Sequence, residues 1–232
     1  MKLQKGRVSL DRALSKLGLC SRVEAGDLIR AGSVKVHGVV ETNPERRVNP
    51  NTAHIVIDDL KAIKPTSLIL VFHKPKGVLT TKRDPEGRKT IYDYLPRQYQ
   101  SLHPVGRLDM QTSGLLLLTN DTKISSFMTE PANKVERVYL VTVQGNVGDD
   151  IAKNLMTGVN DLGERLKADQ VKILKQSGKE SLLELVLVAG KNREIRRLCL
   201  TLGYEVLKLK RIRYGKYELM DLKPCEHRLE LI

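Results

Sequence analysis

The aliphatic runs of this chain are short, and no regular helix separates one from the next. LILVF (68–72) reads as a buried strand and KPKG (74–77) as the turn after it. Further strands are predicted at 115–119, 137–143, 182–188 and 205–211, and helices at 149–157 and 192–202. A doubly wound parallel sheet needs strict β–α alternation, so this order predicts an α+β domain with a mixed, mainly antiparallel sheet. Hydrophobic residues make up 41% of the 232, but aromatics only 4%, with no Trp. The core must therefore be built from Leu, Val and Ile.

The first sixty residues read as a separate small unit. Leu10, Ala13, Leu14 and Leu17 have amphipathic helical spacing, and Gly18 can stop the helix. Ser21 and Glu24 have the S-x-x-E spacing of a capping box, opening a second helix through Ala25, Leu28 and Ile29 that Gly32 can end. Val34 and Val36 alternate with polar residues, His37-Gly38 supplies a tight turn before Val39-Val40, and another strand is predicted at 54–57. KAIKPTS (61–67) breaks the periodicity with charge and a proline, which places a linker there. The stretch SKLGLCSRVEAGDLIRAGSVKVHG (15–38) closely resembles the small RNA-binding domain named after ribosomal protein S-four. The resemblance puts Arg12, Ser21, Arg22 and Lys35 at an RNA-facing surface. The expected division is an αβ RNA-binding domain over 1–62 and a larger domain over 63–232.

Lys and Arg number 40 against 27 Asp and Glu, a formal charge of +13. That excess suits a polyanion, because each phosphate neutralised releases counterions. A membrane surface is the other anionic candidate, but no basic amphipathic helix or lipidation motif stands out, and LLLL at 115–118 is far too short to span a bilayer. Nucleic acid is the expected partner. Cys20, Cys199 and Cys225 are odd in number and unpaired by spacing, so they read as free thiols in a reducing compartment. The five histidines are dispersed without zinc-ligand spacing, and no metal is expected. MKLQKGRVSL lacks the apolar stretch of a signal peptide, which makes the cytoplasm the expected location.

The segment HPVGRLDMQTSGLLLLTND (103–121) is a polar loop running into a four-leucine strand. Gly106 and Gly114 allow a sharp turn or a close approach to a ligand. Arg107 and Asp109 sit in a loop pinned to a buried strand, a common home for catalytic groups. Spacing alone is served better by Asp109 capping a turn or pairing with Arg107 on the surface. However, GRLDxxTxGLLLLTND resembles the signature loop of bacterial ribosomal RNA pseudouridine synthases carrying an S-four-type domain. In that family the Asp of GRLD is the essential carboxylate, which implies a catalytic Asp109. Arg107, Thr112 and Gly114 are the candidate substrate contacts beside it, while Gln111 stands where an acid is frequent.

Two further segments carry the resemblance. KVERVYLVTV (134–143) is similar to the motif whose tyrosine lies against the target uracil, here Tyr139, with Arg137 in place of the usual Lys. GKNREIRRLCLTLGY (190–204) resembles the motif whose basic residue pairs with the catalytic carboxylate, here Arg196, with Glu194 where some members have Gln. Residues 190–216 hold nine Lys or Arg against two Glu, interleaved with aliphatics. A helix burying Ile195, Leu198 and Leu202 turns Arg193 and Arg197 outward, either towards phosphates or as a solubilising face.

Pseudouridine formation moves the ribose bond of uracil from N1 to C5. No atom is gained and no electron transferred, so no cofactor is expected. The reaction needs an ionised carboxylate at the sugar. Out of water, such a group needs a cation facing it, and a flat side chain to hold the turning base. The resemblance extends to an activity on ribosomal RNA, leaning to the large subunit, and a monomer is the default expectation. The alternatives are a non-catalytic RNA-binding ribosome-assembly factor, or the same chemistry on small-subunit or transfer RNA.

Overall fold

In the computed structural model, which describes residues 6–58, 60–61 and 67–230, the predicted helical spacing becomes two short helices, α1 (Leu10–Lys16) and α2 (Arg22–Arg30). Leu10, Ala13, Leu14, Ala25 and Ile29 are fully buried between them. The capping box forms: Glu24 N donates to Ser21 Oγ at 3.2 Å, and Ser21 N donates to Glu24 Oε2 at 2.8 Å. Gly18 and Gly32 follow the two helices with positive φ. The strands β1 (Val34–Val36) and β2 (Val39–Val40) are joined through His37 (φ 53) and Gly38 (φ 84), the two left-handed residues a tight hairpin needs. β3 (Ile55–Ile57) pairs antiparallel with β1. Most of the linker expected at 61–67, and the 62/63 boundary with it, lies outside the described residues.

From residue 69 the described elements are β4 (Ile69–Lys74), β5 (Ser113–Thr119), α3 (Thr122–Thr129), β6 (Arg137–Gln144), α4 (Asp149–Thr157), β7 (Gln170–Gln176), β8 (Glu180–Leu187), α5 (Glu194–Thr201), β9 (Val206–Tyr214) and β10 (His227–Glu230). These strands lie in one sheet in the order β7-β8-β6-β9-β5-β4-β10. Among its described pairings only β9–β5 is parallel, matching Lys210 to Ser113 and Arg211 to Gly114. The sheet is mixed and mainly antiparallel, and the α+β expectation holds.

The leucine run does not alternate because both faces of β5 are covered. Leu115 and Leu117 enter a core with Ile69 and Val71, while Leu116 and Leu118 enter the opposite core with Leu70 and Phe72. All eight side chains are at most 1% exposed. The Thr-Asn-Asp stop after β5 turns out to be a helix start, since Asp121 Oδ1 accepts from Lys123 N at 2.8 Å to cap α3. Patterning did not predict α3, β7 or β10. β7 alternates half-buried and exposed residues at a sheet edge, with little apolar contrast to mark it. No helix among the described residues is long and apolar enough to cross a membrane.

Candidate active site

The parallel pairing of β5 with β9 brings the two halves of the sheet together, and the segment before β5 rises from that junction. Gly114 makes the junction possible. It has φ 106, and a Cβ there would lie 2.2 Å from Arg211 O and 2.6 Å from Arg211 N. Gly114 therefore sits inside the strand contact, and its close approach is to backbone.

Residues 106–112 are held rigidly from behind by residues 74–80. Thr80 Oγ1 donates to Leu108 O at 2.8 Å, Gly77 N to Met110 O at 2.7 Å, and Lys74 Nζ to Thr112 O at 2.9 Å. KPKG is thus more than a turn. Lys74 is fully buried, and burial pulls its ammonium down to about 8, with the charge of Asp109 opposing that fall.

The anchored loop presents Asp109 to a cleft of about 520 Å³, within the size range of small-ligand sites. Arg196, from α5, places Nε 3.5 Å from Asp109 Oδ2, and Arg193 Nη1 lies 3.9 Å from the same oxygen. Arg196 is fixed in turn, donating to Val206 O at 3.2 Å and to Gln111 O at 3.0 Å. Position 111 therefore contributes its carbonyl, while its side chain is exposed. Tyr139 projects from β6 into the cleft, half-buried, with its ring against the cores on both sides of the junction. Glu194 is turned away from the acid–base pair. Its carboxylate accepts from Lys191 N at 2.9 Å, and burial pushes its pKa up.

Five buried side-chain polar atoms make no hydrogen bond among the described residues. Three belong to residues that line this cleft, Asp109 Oδ1, Thr112 Oγ1 and Arg211 Nη2, and a fourth, Arg196 Nε, stands behind it with only the ion-pair contact to Asp109. Unsatisfied buried polar groups are costly, so their concentration here marks a surface shaped for a ligand.

Residues 68–201 match the family described as RNA pseudouridylate synthase, and residues 8–53 match the S4 domain. The chain belongs to the RNA pseudouridine synthase family. It is 36% identical over 219 residues to an RNA pseudouridine synthase of Rickettsia bellii, covering 94% of this chain and 95% of that one. It is also 36% identical to the ribosomal large subunit pseudouridine synthase B of Vibrio cholerae, covering 96% of this chain and 74% of that one. A pseudouridylate synthase crystal structure superposes with a TM-score of 0.69 at 27% identity, over 97% of this chain and 96% of that one.

Not every residue singled out from the sequence reaches the synthase cleft. Asp109, Tyr139, Arg107, Thr112 and Arg193 line it, and Arg196 braces it from α5. Arg197 does not. Its guanidinium is held by Asp161 and Glu164, across the hairpin of Val159–Asp161 and Glu164–Leu166, so it joins α5 to that hairpin. In the S4 domain, Arg12 and Arg22 are exposed, but Arg22 Nη2 is drawn to Asp11 Oδ2 at 2.7 Å, and the Ser21 hydroxyl accepts the α2 cap bond. Lys35 is half-buried on β1. Cys199 is buried on α5 with its thiol pushed up to about 12, which makes it a poor nucleophile. Sequence reasoning missed Lys74, Thr80 and Arg211. Their importance lies in long-range contacts, which no local spacing announces.

Proposed function

We propose that this protein isomerises a uridine of large-subunit ribosomal RNA to pseudouridine, with Asp109 as the catalytic carboxylate, Arg196 as its partner cation and Tyr139 stacked on the base. The observation that carries the proposal is the Arg196 Nε to Asp109 Oδ2 contact of 3.5 Å at a cleft that Tyr139 also lines. A carboxylate removed from water needs such a facing charge. Asp109 Oδ1 is buried and accepts no hydrogen bond, which leaves its lone pairs uncommitted for ribose C1′. The N1–C1′ bond breaks with its electron pair passing to uracil. The ring turns against Tyr139, C5 bonds to C1′, the C5 proton leaves and N1 gains one. Atoms and electrons balance within the nucleotide, so no cofactor is called for.

The target must leave its stack to enter, at a cost of a few kcal/mol. Arg107 and Arg193, both exposed at the cleft, are placed to hold the flanking phosphates. Residues 1–62, with Arg12, Arg22 and Lys35, form the RNA-docking domain, and residues 63–232 the catalytic one. The Vibrio cholerae relative's name supports the choice of large-subunit RNA. A monomer acting in the cytoplasm completes the proposal.

The test is to incubate the protein with unmodified large-subunit, small-subunit and transfer RNA and to map new pseudouridines. A single new site in large-subunit RNA is expected. Product only in another RNA would refute the substrate assignment, and binding without product would turn the protein into an assembly factor.

A further inference from the structure

We infer that Arg211 is a catalytic residue that binds a carbonyl oxygen of the departing uracil and stabilises the negative charge placed there when N1–C1′ breaks. The inference rests on the proposed reaction and extends it.

Arg211 stands on β9 directly across the ladder from Tyr139 on β6 and beside Gly114 on β5. It is 2% exposed and lines the cleft. Nε donates to Leu115 O at 2.8 Å, which orients the guanidinium, while Nη2 has no partner. No carboxylate pairs with it among the described residues. Its guanidinium carbon lies 4.7 Å from the centre of the Tyr214 ring.

Arg137 provides an internal control. Its guanidinium is 4.8 Å from the same ring and also lacks a carboxylate, yet it donates to Val135 O, Val188 O, Met128 O and the Tyr214 hydroxyl. Arg137 holds backbone. Arg211 keeps a donor in reserve, and a buried cation without a counterion is expensive to maintain unless function uses it.

Depth decides which oxygen Arg211 meets. Phosphates belong to a continuous strand and stay at the mouth of the cleft, where Arg107 and Arg193 are exposed. A flipped base enters further, and the base held by Tyr139 has its edge at the neighbouring strand position, which is Arg211. As N1–C1′ breaks, the electron pair left on uracil spreads onto O2 and O4. The N–H of Arg211 then faces more charge in the transition state than in the bound uridine, the condition for raising kcat rather than affinity.

Single-turnover pseudouridine formation and RNA binding, measured on Arg211→Gln, Arg211→Lys and Arg211→Ala beside wild type and Asp109→Asn, test this. Arg211→Gln should slow the chemical step by about 10²–10³-fold, as loss of one oxyanion donor does, and leave Kd nearly unchanged. Arg211→Lys should recover part of the rate, and millimolar guanidinium should rescue Arg211→Ala. A rate within about threefold of wild type, or a loss confined to Kd, would overturn the assignment. So would a slow variant that neither lysine nor guanidinium restores, since that describes a purely structural arginine. If wild type is active and Asp109→Asn is not, these failures touch Arg211 alone. A wild type that forms no pseudouridine overturns the reaction itself and this role with it.

Discussion

Lys74 shows how much structural cost the site concentrates around one aspartate. It is a fully buried cation whose ammonium holds two carbonyls, Thr112 O at 2.9 Å and Pro75 O at 3.0 Å. Burial lowers its pKa from 10.5 to about 8, so folding disfavours the charged form. The penalty is full below pH 8 and is relieved as pH rises to 10.5, where the unfolded chain also loses the proton. Lys74→Met removes this titration. Relative to that variant, wild-type unfolding free energy should gain ~2–3 kcal/mol between those two pH values, measured by denaturant unfolding. A constant difference would contradict the burial argument. The gathering of Asp109, Tyr139 and Arg196 at one cleft was legible through the family resemblance, because each sits in a contiguous motif. Lys74 and Arg211 were not, because their partners are 38 and 96 positions away.

At the scale of elements, Gly114 carries the most geometric constraint. An alanine there meets a left-handed φ penalty of ~1–2 kcal/mol, and its Cβ would meet the Arg211 backbone as well. Gly114→Ala should lower Tm and reduce activity together, because the contact it disrupts also positions Arg211. An unchanged Tm would show that β5 and β9 can separate without cost. The elements with strong periodicity or caps were readable: α1, α2, the His37-Gly38 hairpin and the leucine strand. The parallel pairing of β5 with β9 was not, since strand partners are chosen by packing on both faces of the sheet. Arg197 illustrates the same limit, as helical spacing turned it outward but could not foresee Asp161 and Glu164 waiting there.

For the molecule as a whole, the charge of +13 and the placement of exposed arginines at the cleft and on the S4 domain point to phosphate-led binding. Affinity for the RNA substrate should fall on the order of 10³-fold between about 50 and about 200 mM salt if six or more phosphates are held, as read from filter binding. A flat response would remove the electrostatic part of the account. The most direct test of the whole is the Asp109→Asn protein in a pseudouridine-mapping assay, since it removes one charge at nearly constant volume. The account predicts that this variant still binds the RNA and forms no pseudouridine above background. Product formed at the wild-type rate would contradict it.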